Sequence, residues 1–175
     1  MKKSILFLSV FLLTGYINKA AVPDREEAEI TVNANVLSDL TITMNSSADF
    51  GNISSTTAGE VFLDPRGSES SYVGATASAG RFTINGDTNN SVRIGWPPSI
   101  TLYGDEDDIT MTFAVSGGGS DNQASSLDLV ADGGFVTVDI GFGAYYIWIG
   151  GSLGKMDSQA AGSYTGTAHF TVEYN

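Results

Sequence analysis

The stretch that decides the fold is AAGSYTGTAHFTVEYN, residues 160–175, in which the side chains alternate with a period of two. One set of positions is mostly apolar and holds Tyr164, Gly166, Ala168, Phe170, Val172 and Tyr174. The other set is polar and holds Thr165, Thr167, His169, Thr171 and Glu173. This alternation is typical of a β-strand with one buried face. The sequence therefore predicts an amphipathic strand, and it raises the question of what pairs with that strand.

Comparable strand-like segments recur along the chain at intervals of about ten residues, the spacing of an all-β protein. They lie at residues 30–36, 40–44, 48–53, 59–64, 71–77, 80–86, 91–96, 99–104, 109–115, 135–142 and 145–153. Gly, Asn, Asp and Ser occupy the connections, and these residues favour turns. No segment after the first twenty residues sustains a helical period. The pattern predicts an all-β sandwich.

The N-terminal residues have the order of a secretory signal peptide. Lys2 and Lys3 precede an apolar run at 5–13, and Ala20 with Ala21 supplies small residues at the expected cleavage site. The apolar run is too short to span a bilayer, so we expect no membrane insertion of the mature chain. We predict a signal peptide at 1–20, a charged spacer at 21–29 and a single domain at 30–175. The protein is therefore expected in the periplasm, on the cell surface or outside the cell.

The charge of the chain excludes two classes of partner. The sequence has 8 Lys+Arg against 20 Asp+Glu, a formal net charge of -12. Removing 1–20 removes three lysines, which leaves 5 − 20 = −15. This acidity argues against nucleic acid and against anionic membrane surfaces. There is no cysteine, so stability must come from packing and hydrogen bonds or from a partner.

The sequence offers little that points to catalysis. His169 is the only histidine and falls on the polar side of its strand, there is no cysteine nucleophile, and no G-x-S-x-G motif occurs. We therefore expect a protein that is not an enzyme and that needs no cofactor. The acidic run Asp105–Asp108 lacks the spacing of a calcium loop and is interpreted as a solvated turn, with calcium binding left open.

Aromatic residues leave two interpretations open. Trp96, Tyr146 and Trp148 are candidates for contacting a surface ligand such as a glycan. Tyr146 and Trp148 also alternate with Ile147 and Ile149 along one predicted strand, so packing within the sheets is the better explanation of these residues and ligand contact the alternative.

The segment from Tyr145 to the last residue resembles the ending of the DUF4402 family of bacterial secreted domains. The residues that match stand at Gly150, Gly151, Leu153, Gln159, Gly162, Tyr164, Gly166, Val172, Tyr174 and Asn175. The opening at 30–53 and the middle segment at 80–102 fit the family as well. The acidic run 105–108 and His169 depart from the pattern.

That ending is also similar to spore coat U-like and chaperone–usher pilin domains. The resemblance implies an immunoglobulin-like antiparallel β-sandwich that lacks one strand, which a chaperone or the next subunit supplies. The candidate donor strand carries Ile30, Val32, Ala34 and Val36 on one side. The candidate acceptor-groove strand carries Tyr164, Phe170, Val172 and Tyr174. The donor strand could equally pair within its own chain, and the residues leave that alternative open.

Together these features predict a secreted structural or adhesive surface protein, a pilin-like (fimbrial-like) subunit in which donor-strand exchange joins copies of the chain. The expected partners are further copies, or a chaperone or usher that works by strand addition. The alternative is a self-contained secreted sandwich that binds a surface ligand such as a glycan through Trp96, Tyr146 and Trp148.

Overall fold

The computed structural model describes residues 37–156 and 159–175, which fall within one compact unit. The predicted signal peptide, the spacer and the candidate donor strand at 30–36 lie outside these residues. The strands are β1 (Thr41–Ser46), β2 (Glu60–Leu63), β3 (Gly80–Asn85), β4 (Asn90–Gly95), β5 (Ser99–Tyr103), β6 (Asp108–Gly118), β7 (Leu127–Asp128), β8 (Phe135–Ile140), β9 (Ala144–Lys155) and β10 (Thr171–Tyr174). A 3-10 turn spans Gln123–Ser125. In this part of the chain no helix is long and apolar enough to cross a membrane.

The strands form two antiparallel sheets. In the larger sheet the order is β1-β3-β9-β6-β5, with β2 also paired to β9 and β7 to β6. In the smaller sheet the order is β10-β4-β8. The predicted all-β class and sandwich arrangement are confirmed.

The main core lies between the two sheets because alternate side chains of facing strands point at each other. The larger sheet contributes Phe82, Ile84, Val115, Ile147 and Ile149, and the smaller sheet contributes Val92, Ile94, Val138 and Ile140. Each such side chain stabilises the fold by roughly 1.5–3 kcal/mol when fully buried. The side chains at 146 and 148, next to Ile147 and Ile149, therefore lie on the opposite face of β9.

Two segments that the sequence predicts as strands form only isolated bridges. Residues 48–53 make one bridge, between Asp49 and Ser78, and residues 71–77 make one, between Ser71 and Phe62. The cause is a close crossing of these two segments at Gly74. A Cβ atom at Gly74 would lie 2.3 Å from the main-chain nitrogen of Asn52, so the segments approach more closely than paired strands with side chains allow. Alternation alone did not reveal this crossing.

The loop after β2 is organised by a nearly buried carboxylate. Asp64 accepts main-chain hydrogen bonds from Arg66 at 2.9 Å, Ser68 at 2.8 Å and Glu69 at 2.9 Å, and a further one from the Ser68 hydroxyl at 3.1 Å. Burial by itself raises the pKa of Asp64, but these four hydrogen bonds together outweigh it, so the pKa lies below its ordinary value. The ionised carboxylate therefore stabilises the loop.

Replacing Asp64 by asparagine is expected to destabilise the domain by about 1–3 kcal/mol at neutral pH, because main-chain donors lose their charged acceptor. The stabilisation is fully present above the unfolded pKa of 3.8 and is lost as the pH falls through the lower folded pKa. The free energy of unfolding, measured in urea at neutral and at acid pH, should therefore fall less in acid for Asp64→Asn than for the wild type. The exposed Asp105→Asn is the control. Equal losses in acid for wild type and Asp64→Asn would contradict this role.

Candidate functional site

The C-terminal segment crosses from one sheet to the other. Thr165 exchanges two main-chain hydrogen bonds with Tyr103 at the end of β5, at 2.8 and 3.0 Å, and β10 then pairs with β4. Between these points, residues 166–170 make no main-chain hydrogen bond with another described residue. One edge of this extended segment and of β10 thus presents main-chain groups that a further strand can pair with.

Burial along this segment follows the predicted alternation. Tyr164, Ala168, Phe170, Val172 and Tyr174 are half-buried, whereas the polar residues between them are exposed. Gly166 is exposed and is required for a close approach, since a Cβ there would lie 2.7 Å from the carbonyl oxygen of Thr101. The segment is therefore held against β5 at Thr165 and Gly166, while the main chain of 166–170 has no partner within the described part of the protein.

Beside this edge the described residues leave an elongated groove of about 1090 Å³. We call it the groove and define it by two walls and a floor. One wall is β1 with residues 47–55, and the other is residues 159–170. The floor is apolar and contains Phe82, Ile100, Leu102, Ile109, Met111, Phe113, Ile149, Leu153 and Met156.

The β1 wall carries apolar side chains that are exposed although they lie on an inward face. Ile42 pairs with the buried Ile84 and Met44 with the buried Phe82, so both side chains lie on the inner face. Even so, Ile42 is 45% and Met44 is 65% exposed. Every residue of β1 is exposed, although the strand is paired along its length to β3. Apolar side chains on an inward face normally pack against an opposing element.

The apolar floor of the groove belongs to the larger sheet. A second apolar cluster holds Val61, Ile109, Met111, Leu153 and Met156. All of its strand residues come from the larger sheet, and the smaller sheet contributes none. Half-buried residues such as Phe50, Ile53 and Tyr164 pack around it instead. Among residues 37–156 and 159–175, no strand faces the larger sheet at this point.

Beyond one end of the groove, the segments that continue its two walls meet at three residues that we call the latch: Ser38, Asp87 and Tyr174. The Tyr174 hydroxyl accepts a hydrogen bond from the Asp87 main chain at 2.8 Å and donates one to the Ser38 carbonyl at 3.2 Å. The Ser38 hydroxyl and main-chain N–H both donate to the Asp87 carboxylate and lower its pKa. Leu40 and Tyr174 meet over Gly86, where an added Cβ would lie 3.0 and 2.7 Å from them. The segments that continue the two walls, residues 38–40 and Tyr174, therefore meet here.

The other end of the groove carries the acidic turn 105–108. Asp107 accepts a hydrogen bond from the main chain of Ala160 at 3.0 Å, and the Tyr164 hydroxyl donates to the Ala160 carbonyl at 2.7 Å. Burial and the nearby carboxylates of Asp107, Glu106 and Asp108 raise the pKa of Tyr164, which keeps the phenol protonated as a donor. The turn that the sequence predicts as solvated thus also holds one wall of the groove. Within 37–156 and 159–175 no group of acidic or histidine side chains is arranged to hold a metal ion.

The three aromatic residues of the ligand hypothesis are not brought together. Trp96 stacks on Phe170 with ring centroids 6.0 Å apart and packs against the main core. Tyr146 and Trp148 lie 6.3 Å apart on the outer face of β9, where Arg81 covers the Tyr146 ring at 5.5 Å. Trp148 is only 3% exposed. The structure therefore presents no joint aromatic platform formed by these residues.

The predicted acceptor residues divide between the groove and the main core. Tyr164 and Phe170 line the groove. Val172 packs against the main core, and Tyr174 does so too while forming part of the latch. Sequence reasoning missed Ile42 and Met44, although their alternation with threonines in β1 marked them as one face of a strand.

The family described as Domain of unknown function (DUF4402) matches residues 40–174. The chain belongs to the DUF4402 family. None of the curated proteins compared with this DUF4402 chain matches it. The matched residues contain both walls and the floor of the groove, whereas the candidate donor strand at 30–36 precedes them. The groove thus lies within the part of this chain that matches the family.

Proposed function

We propose that this DUF4402 domain is an exported structural surface subunit that takes up a β-strand of a second copy in its groove. One observation carries the proposal. The main-chain edge at 166–170 has no partner among the described residues, and it borders an apolar groove where Ile42 and Met44 remain exposed. A strand laid there would pair the edge and cover the apolar surface together.

The candidate donor strand matches the dimensions of the site. Seven residues in extended conformation span about 23 Å, the same length as residues 166–172. Ile30, Val32, Ala34 and Val36 would face the floor, and the polar residues between them would face solvent. Burial of this apolar area stabilises the contact by roughly 25 cal/mol per Å².

The character of the groove favours a strand over a small ligand. Its volume of about 1090 Å³ exceeds that of small-molecule pockets, which hold roughly 300–1,000 Å³. Its walls are extended chain, and its floor is a continuous apolar surface without a converging set of charged groups. The resemblance to spore coat U-like and pilin domains supports the same arrangement, and the predicted signal peptide supports export.

The test is the oligomeric state of the form expected after export, residues 21–175, produced with its own signal peptide. We expect multimers in light scattering that resist unheated SDS, and we expect Val32→Asp to convert them to monomers, because an aspartate facing the apolar floor would be buried without a partner. Asn33→Asp is the matched control, since in the proposed arrangement residue 33 would face solvent and the substitution should leave the multimers intact.

Two outcomes would overturn the proposal. Equal behaviour of Val32→Asp and Asn33→Asp would show that residues 30–36 do not fill the groove. A stable wild-type monomer that Val32→Asp unfolds would show that the strand completes the sandwich of its own chain, and exchange between copies would be wrong.

A further inference from the structure

We infer that Met44 is an oxidation site that controls the groove: peroxide converts its thioether to a sulfoxide while the groove is empty, and the sulfoxide then prevents strand uptake. The inference rests on the proposed function and adds a means of regulating it. It follows from the exposure of Met44, from its place on the β1 wall and from the burial of Met111 and Met156.

Among residues 37–156 and 159–175, one methionine is accessible to an oxidant in solution. The sequence has four methionines, of which Met1 belongs to the predicted signal peptide. Met111 and Met156 are each 4% exposed, whereas Met44 is 65% exposed. A thioether must meet the oxidant to react, so exposure makes Met44 the most reactive of these three residues. The sequence contains no cysteine that would compete for the oxidant.

The exposed thioether belongs to the groove. Met44 lines it, and the residue that pairs with Met44 in β3 is the buried Phe82, on the inner face of the larger sheet. Ile42 lies on the same wall, but its hydrocarbon side chain does not react with peroxide. A strand in the groove would cover both side chains. The reactivity of Met44 therefore depends on whether the groove is occupied.

Oxidation changes the chemical character of the β1 wall. The sulfur atom loses two electrons and gains one oxygen atom, the O–O bond of hydrogen peroxide breaks, and water leaves. The product is a polar sulfoxide whose oxygen accepts hydrogen bonds. Water satisfies this oxygen in the open groove. Under a strand the sulfoxide would face an apolar floor whose side chains offer no hydrogen-bond donor, which makes uptake costly.

Strand uptake and oxidation of Met44 therefore exclude each other. A filled groove keeps peroxide away from the thioether, and an oxidised Met44 keeps the strand out. Methionine sulfoxide is reduced back to the thioether by methionine sulfoxide reductases, so the oxidised state is reversible. Assembled copies are thus resistant to peroxide, whereas unassembled copies are withheld from assembly until they are reduced.

The test separates the groove from the donor strand. The acceptor is Val32→Asp in the form spanning 21–175, in which the chain's own donor strand is disabled and the groove is unchanged. The probe is a fluorescent peptide of residues 28–38, which contains no methionine. The control acceptor carries Met44→Leu in addition, since leucine nearly conserves the apolar volume and is not oxidised.

Peroxide treatment and peptide mapping of the acceptor should show sulfoxide forming about tenfold faster at Met44 than at Met111 or Met156. In wild-type multimers Met44 should oxidise as slowly as those two residues. The treated acceptor should bind the peptide about ten- to a hundredfold more weakly than the untreated one, and methionine sulfoxide reductase should restore binding. The Met44→Leu acceptor should bind equally well before and after treatment.

Oxidation of Met44 no faster than that of Met111, or undiminished peptide binding after oxidation, would overturn this inference while strand uptake stands. An equal loss of binding in the Met44→Leu acceptor would assign the effect to another residue and would overturn it too. Absence of peptide binding to the untreated acceptor would instead remove strand uptake itself, and with it the proposed function. A loss confined to acceptors that carry Met44 supports control of the groove by oxidation.

Discussion

The substitution Met44→Asp is expected to abolish strand uptake while the domain itself stays folded. Met44 is 65% exposed on the β1 wall, so an aspartate there remains hydrated as long as the groove is open. A strand in the groove would cover the new carboxylate beside Phe82 and the apolar floor, with no cation to pair it. A penalty of about 4 kcal/mol lowers an association constant by about a thousandfold.

Light scattering of the form spanning 21–175 measures the assembly, and thermal unfolding measures the fold. Thr43→Asp is the matched control because residue 43 lies on the same strand, is exposed and pairs with Thr83 on the opposite face. We expect Thr43→Asp to assemble as the wild type does. Assembly of Met44→Asp at wild-type concentrations would show that β1 does not border the site of strand uptake.

The second large effect is expected from Phe170→Ala, which should destabilise the domain by about 3–5 kcal/mol. The Phe170 ring contacts three other aromatic rings, with centroid distances of 5.3 Å to Phe82, 5.8 Å to Phe113 and 6.0 Å to Trp96. It thereby joins both sheets at the point where the C-terminal segment crosses between them. Truncation removes these contacts and leaves a cavity beside the main core.

The expected loss corresponds to a melting temperature lower by roughly 10 °C for a domain of this size. His169→Ala provides the control, since His169 is the exposed neighbour of Phe170 on the same segment and should melt as the wild type does. An unchanged melting temperature for Phe170→Ala would show that this ring does not support the core. Because Phe170 serves both the core and the groove, substitutions there disturb folding and assembly together, and Met44 is the cleaner test of uptake.

The parts of the fold that depend on local alternation could be predicted from the sequence. The inner and outer faces of 164–174 follow directly from the period of two, because neighbouring side chains of a strand must point to opposite sides. The short segments 48–53 and 71–77 show the same kind of sequence without forming strands. Their conformation depends on the close crossing at Gly74, which brings together residues distant in sequence.

The groove was predictable only in part. Tyr164 and Phe170 could be assigned to it because they lie on the inner face of the segment that needs a partner. Alternation does not tell which other strand borders a gap, so Ile42 and Met44 were missed. The latch joins residues 136 positions apart, Ser38 and Tyr174, and no local pattern indicates such a contact.

The latch also determines how the domain bears a pulling force. A pull on the chain at residue 37 acts first on Ser38, and only then on β1, an edge strand paired on one side to β3. Through Tyr174 the load passes to the smaller sheet. Through Asp87 it passes to the turn between β3 and β4, and this turn connects the two sheets. The tension is thus divided between both layers of the sandwich before β1 can be peeled from its edge.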